Sequence, residues 1–250
     1  MNKITIAFAA ALALVAGLSS CTNDNYDAPS ETFKGAFIDK GTGEPFQTSM
    51  GNTGIRIRMM EYSWSDNPQP YDFNVKMDGT FQNTRIFKGE YGVTPEGAFV
   101  PLEEERFNIK GTVEKTYEVE PLLRIEWTGE PVVNADGTAT VKVRLTRGTD
   151  NADYQQALQE GWLYVSETCY VGDFSYSPMY STKISASELA LGKELTFTTG
   201  FPNGTSGAAN VFPAYSRKYF LRFAAKTTKD FSGVKRYNYS TVKEITTQTR

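Results

Sequence analysis

The chain has no histidine among its 250 residues. That absence removes serine–histidine and cysteine–histidine nucleophiles, histidine general bases and the common zinc sites, all of which need an imidazole. Cysteine is almost as scarce, with Cys21 and Cys169 the only two. With Cys21 consumed as described below, Cys169 has no disulfide partner. Within residues 163–171 it is expected to be a small hydrophobe in a strand, since no base is at hand to make it a nucleophile. Clustered charge is missing too: 26 Lys and Arg stand against 29 Asp and Glu, a net charge of −3. Nucleic-acid binding needs cations gathered in one place, so no nucleic acid is expected as a partner. Helical periodicity is confined to a short polar stretch at residues 151–160, closed by Gly161, and a possible turn at residues 185–189.

What is present begins with a leader. Lys3, an apolar stretch over residues 6–16 and the small residues Gly17, Ser19 and Ser20 precede Cys21. Eleven apolar residues are too few to cross a bilayer, where about 20 are needed, so residues 1–20 are expected to be a signal peptide. The run Leu18-Ser19-Ser20-Cys21 resembles the bacterial lipobox. The resemblance implies a diacylglycerol on the Cys21 thiol and a membrane held as partner through acyl chains, each methylene contributing about 0.8 kcal/mol. An ordinary secretory signal followed by an incidental cysteine is the alternative. Residues 21–32 are polar and acidic and are expected to be a lipidated, flexible tether.

From Phe33 onward the pattern is β. Apolar residues alternate in Ile55-Arg56-Ile57-Arg58-Met59, in Phe73-Asn74-Val75-Lys76-Met77 and in Ala139-Thr140-Val141-Lys142-Val143-Arg144-Leu145, each reading as a strand with one wet and one dry face. Asp78-Gly79, Lys88-Gly89 and Asp136-Gly137 supply the turn chemistry between strands. Pro121 cannot donate to a ladder and marks a boundary after residue 120. The expected fold is all-β, with two tandem antiparallel β-sandwich domains over residues 33–120 and 121–250.

The first half carries a family pattern. Asp39-Lys40-Gly41-Thr42-Gly43-Glu44-Pro45, with Asp78-Gly79-Thr80-Phe81 and Gly89-Glu90-Tyr91, resembles the carboxypeptidase-regulatory-like domain, which implies a transthyretin-like fold. The mature chain resembles two-domain Bacteroidetes lipoproteins of unknown function in which that domain precedes an immunoglobulin-like one; Trp64 to Pro70 and Tyr237-Asn238-Tyr239-Ser240 fit. The resemblance implies an outer-membrane lipoprotein at the cell surface, accessory to a polysaccharide-utilisation system, with polysaccharide and an outer-membrane import complex as partners. The thin acidic run at Asp24 and Asp27 leaves retention on the periplasmic face open.

No motif specifies catalysis, a metal or a cofactor. Glu103-Glu104-Glu105 reads as a solvated loop rather than half of a glycosidase pair, which must face its partner across a cleft. Asp66, Asp72 and Asp78 lack the spacing of a calcium loop and read as turn residues. The glycine-rich residues 200–207 lack the lysine of a phosphate loop. Aromatics carry more: Trp64 beside Asn67-Pro68-Gln69-Pro70, with Tyr62 and Tyr71, and Trp162 in a second group, are the candidate ligand-binding residues, because sugar rings present an apolar face to flat side chains. Trp127 or Trp162 could instead be the tryptophan a sandwich buries. The expected function is a non-catalytic envelope lipoprotein that binds glycan. The alternative is a pilin-like subunit of a surface fibre, assembled by donating the alternating segment 240–246 to a neighbour.

Overall fold

The structure is a computed structural model that describes residues 27–250. Residues 1–26, which hold the expected signal peptide, Cys21 and half of the expected tether, lie outside the described residues. Strands form over most of the alternating stretches, and the dry faces of four sheets meet in two separate cores. The strand expected over residues 73–77 ends at Asn74, and its last three residues lead into the turn before the next strand.

The first pair of sheets comes from the N-terminal half. Strands β1 (Glu31–Asp39), β4 (Thr80–Ile86) and β7 (Thr112–Val119) form a three-stranded sheet in the order β4-β1-β7. Strands β2 (Arg56–Glu61), β3 (Pro70–Asn74), β5 (Gly89–Glu96) and β6 (Glu105–Ile109) form the other, in the order β3-β2-β5-β6. Between them lies an aromatic core: Phe37 stacks on Tyr117 with centroids 5.0 Å apart, and Phe33 meets Phe81 edge-on at 4.9 Å. Ile57, Met59 and Val93 close it from the second sheet. Arg56 and Arg58, one residue out of phase, face outward to Asp72 and Glu96. One pairing departs from the antiparallel expectation, since β1 runs parallel to β7 along Thr32–Asp39. A parallel pair requires a long connection, and the strands between β1 and β7 supply it. Glu31 and Thr32, expected in the tether, are instead the start of β1, paired with Ile86 and Thr112.

The C-terminal half repeats the scheme. Strands β8 (Leu123–Trp127), β9 (Val132–Val133), β10 (Ala139–Arg147) and β13 (Glu194–Thr198) make one sheet. Strands β11 (Leu158–Ser166), β12 (Thr182–Ser185), β14 (Lys218–Thr227), β15 (Tyr237–Tyr239) and β16 (Lys243–Thr246) make the other. Val141, Val143 and Leu145 meet Leu163, Val165, Leu221 and Phe223 in the core. Segment 240–246 does not hang free: β16 pairs with β14, and Ile245 is buried in the same core. The residues that the pilin alternative would donate to a neighbour complete their own sheet.

Three expectations fail here. The helix at residues 151–160 is only a 3-10 turn at Ala152–Tyr154, capped by the Asn151 side chain. Gln159 and Glu160 belong to β11, because Glu160 finds Lys226, Lys183 and the Tyr237 hydroxyl across the sheet. Cys169 is exposed beyond the end of β11 and is no strand hydrophobe. No tryptophan fills either core; Trp127 and Trp162 are half-buried at the margins, and phenylalanine and tyrosine do the filling.

The two halves meet through arginines. Arg222, on the face of β14 away from the core, is fully buried. Its guanidinium donates to the carbonyls of Ser240 (2.9 Å), Thr48 (2.9 Å), Val171 (3.4 Å) and Met77 (3.3 Å) and to Gln47 Oε1 (3.4 Å). The Tyr239 ring covers it at 4.5 Å. Burial pushes its pKa down to about 10. Asp173 ties in Ser49, Thr53 and Tyr239 beside it. Arg236 reaches the Asn52 and Gly54 carbonyls and Glu96, and Asn238 links the Ala98 carbonyl to the Leu123 amide.

Truncating Arg222 to alanine orphans carbonyls of both halves and should cost about 3–5 kcal/mol, lowering the melting temperature by about 6–20 °C in a chain of this size; calorimetry of the variant checks this. Glu160 gives a pH test. Burial pushes its carboxyl up, but the bonds from Lys226 and Tyr237 and the charges of Lys226 and Lys183 outweigh it, so the pKa lies below the ordinary 4.5. A depressed carboxyl contributes stability above its unfolded pKa and loses it as pH falls through the folded one. Glu160→Gln should therefore flatten the decline in stability below pH 4.5 relative to the parent chain, measured by denaturant unfolding across pH.

Candidate functional site

The end of the first sandwich carries three exposed rings. Trp64 stands 69% exposed, Tyr71 45% and Phe87 42%. Trp64 lies just past β2, where Ser65, Asp66 and Pro68 end the strand. Its Nε1 donates to Glu61 Oε1 at 2.9 Å, which fixes the ring against the strand end. Glu61 pairs in register with Tyr91 on β5, and the Tyr91 hydroxyl donates to the Phe87 carbonyl at 3.0 Å. Burial first, and Glu61 second, push the Tyr91 pKa well up, so this hydroxyl keeps its proton. The Ser63 hydroxyl accepts the Glu90 amide at 2.8 Å and pins the turn to β5. Tyr71, on β3, accepts from Asn83 Nδ2 at 2.7 Å, linking the edges of the two sheets. Flat apolar rings thus stand among fixed carboxylate and amide groups, an arrangement suited to the C–H face and hydroxyls of a sugar.

The four residues singled out from the sequence are not together. Trp64 and Tyr71 share this end. Tyr62 turns to the other face of the strand, where the Arg106 guanidinium covers its ring at 3.7 Å and Glu104 holds Arg106 at 2.9 Å. Trp162 is on the other sandwich, stacked on Tyr164 at 5.4 Å with Tyr176 beside both. Phe87 was not anticipated; its position directly after the inward-facing Ile86 and before Lys88-Gly89 is the signal that places it at a turn. Asp72 and Asp78 are taken by Arg58 and by Thr80, and Glu104 by Arg106.

Sequence reading also missed a cleft at the junction of the halves. It has a volume of about 400 Å³ and is lined by Glu44, Phe46, Arg124, Glu126, Trp127 and Lys243, among others. The turn after β1 forms one wall. Asp39 Oδ1 accepts the Gly41 amide at 2.8 Å, and the same carboxylate takes Arg124 Nη2 at 2.7 Å and Nε at 2.5 Å. Gly41 leaves room for the guanidinium there, because a Cβ would lie 2.2 Å from Arg124 Nη2 and displace it. Trp127 Nε1 donates to the Thr241 carbonyl at 3.0 Å, so its ring is held at the rim.

The architecture is that of an all-β protein of packed, mostly antiparallel sheets, and comparison with known proteins places it more closely. The family model for the N-terminal domain of DUF3823, a protein family of unknown function, matches residues 31–120. A DUF3823 protein of Bacteroides uniformis is 33% identical, with 89% of this chain and 100% of that one covered and a TM-score of 0.77; the chain belongs to the DUF3823 family. A second Bacteroides uniformis structure, described as a candidate carbohydrate binding protein, is 22% identical, covers 87% of this chain and 99% of its own, and has a TM-score of 0.68. A DUF3823 protein of Parabacteroides merdae is 20% identical over 88% of this chain and 100% of its own, with a TM-score of 0.63. No curated protein matches the chain.

Trp64 is 69% exposed and lies outside both cores, so Trp64→Ala should cost less than about 0.5 kcal/mol and lower the melting temperature by no more than about 2 °C. A fall of ten degrees in a thermal melt would show that the ring supports the fold instead.

Proposed function

We propose that this protein is a non-catalytic, glycan-binding lipoprotein of the cell envelope. The observation that carries the reading is the cluster of Trp64, Tyr71 and Phe87 at one end of the first sandwich, exposed yet held by hydrogen bonds next to Glu61 and Asn83. Rigid aromatic rings lose little entropy on binding and offer a stacking face to any pyranose, so affinity is set before the ligand arrives. The Bacteroides uniformis relative described as a candidate carbohydrate binding protein supports the same reading. In this proposal Cys21 carries the acyl chains that hold the protein at the outer membrane, with its sandwiches presented at the cell surface. Its setting is a polysaccharide-utilisation system, where it serves beside an outer-membrane importer.

Affinity electrophoresis of the purified full chain through gels containing individual polysaccharides tests the binding. Retardation by at least one, reduced by Trp64→Ala by about 1–3 kcal/mol of binding energy as for other aromatic stacking, is the expected result; migration unaffected by every polysaccharide sinks the reading. The anchor is tested separately. Cys21→Ser should move the protein from the membrane pellet to the soluble fraction and abolish incorporation of labelled fatty acid, and a variant that still pellets and still takes up label would refute lipidation at Cys21.

A further inference from the structure

Beyond the Asp39–Arg124 pair, a second cleft of about 420 Å³ adjoins the first, lined by Lys40, Glu120, Arg124, Arg147, Thr149 and Asp150, with the Gly41 and Gly148 backbone. Arg124 lines both clefts, so the two lie on either side of the Asp39–Arg124 pair. The charges in the second cleft are unequally satisfied. Lys40 pairs with Glu120 at 3.1 Å, the other Glu120 oxygen accepts the Thr149 hydroxyl at 2.8 Å, and Arg124 is matched by Asp39. Arg147 is the exception. Its Nη1 is buried with no hydrogen-bond partner, and among the described residues no carboxylate forms an ion pair with it. Burial alone lowers its pKa, with no neighbouring acid raising it back.

A guanidinium that lines the cleft without a counter-ion keeps its charge uncompensated and is matched by a planar or tetrahedral oxyanion held against its cleft-facing side. Arg147 ends β10 opposite Leu123 on β8, four residues along that strand from Trp127, a separation of about 14 Å. That exceeds one sugar ring. We propose that the two clefts form one groove for an acidic oligosaccharide, with sugar rings along the Trp127 side and a carboxylate or sulfate-ester group held by Arg147. The inference rests on the glycan-binding reading and adds the class of ligand and a second site. The chain as a whole is acidic, so non-specific attraction does not draw a polyanion to it.

Matched probes separate the possibilities: dextran sulfate against dextran, and polygalacturonate against its carboxyl-reduced neutral form, each in affinity gels with the full chain. The expected result is tighter binding of at least one acidic member than of its neutral twin. Arg147→Ala should weaken it about tenfold or more, the loss of one charge-assisted pairing, Arg147→Lys should lose less, and the surface control Lys193→Ala should leave it unchanged. The ester and carboxylate arms identify which oxyanion is read. Arg147→Ala breaks no hydrogen bond of the folded chain, so its melting temperature should stay within about 2 °C of the parent. Binding of acidic and neutral members alike, unmoved by Arg147→Ala, overturns this inference and leaves the glycan reading intact. Equal loss in Lys193→Ala reduces the effect to bulk charge and also overturns it. Binding of no polysaccharide at all overturns both.

Discussion

Arg222 is the constraint on which the arrangement depends. A buried guanidinium must be given acceptors or it is expelled, and here they are carbonyls from residues 48, 77, 171 and 240 together with the Gln47 amide. No single strand could supply that fan, because it requires the loops of one sandwich to lie against β14 and β15 of the other. Backbone carbonyls cannot change rotamer as carboxylates do, so the match is made only when the halves sit in this relation. Asp173 reinforces it without pairing directly, since its oxygens accept from Ser49, Thr53 and Tyr239 while its charge offsets part of the desolvation of Arg222. Once the halves are set, the turn after β1 comes against β8, Asp39 meets Arg124, and the junction clefts open on either side of that pair. The clefts are a consequence of how one arginine is satisfied.

Much of the fold was legible where strands such as β10 have one wet and one dry face. In β10 the residues expected to be buried, Ala139, Val141, Val143 and Leu145, are the buried ones. The segment 151–160 misled because Gln155, Gln156, Gln159 and Glu160 are compatible with an exposed helix when viewed locally. What places Glu160 in a strand is Lys226 and Tyr237, more than sixty residues away in sequence. Arg222 was hidden for a related reason. Alternation in Lys218–Thr227 puts it on one face with Phe220 and Ala224, but a lone arginine there reads as the wet side of an ordinary strand until a second sandwich covers it.

The two candidate binding surfaces differ in legibility for the same physical reason. Trp64 and Tyr71 could be read because their neighbours in the chain, serine, asparagine and proline, already forbid a buried strand. The junction groove could not, since Asp39 and Arg124 are 85 residues apart and Arg147 is unpaired only by virtue of what the fold fails to bring near it. A property that consists of a missing partner has no local sequence signature. Tyr62 shows the converse, where a promising local context is neutralised by Arg106 arriving from another strand.

A chain without histidine has no side chain that titrates near neutrality by default, and the fold moves the remaining groups further from it. Each carboxyl with a resolved shift, among them Asp72, Glu120 and Glu160, is held below its ordinary value. Each tyrosine with one, including Tyr91, Tyr164 and Tyr239, is pushed above it by burial. Groups that keep one protonation state present the same donors and acceptors at every physiological pH, and their hydrogen bonds fix the rings and guanidinium groups beside them. A surface that reads hydroxyls and oxyanions gains from such donors and acceptors, because they do not change state.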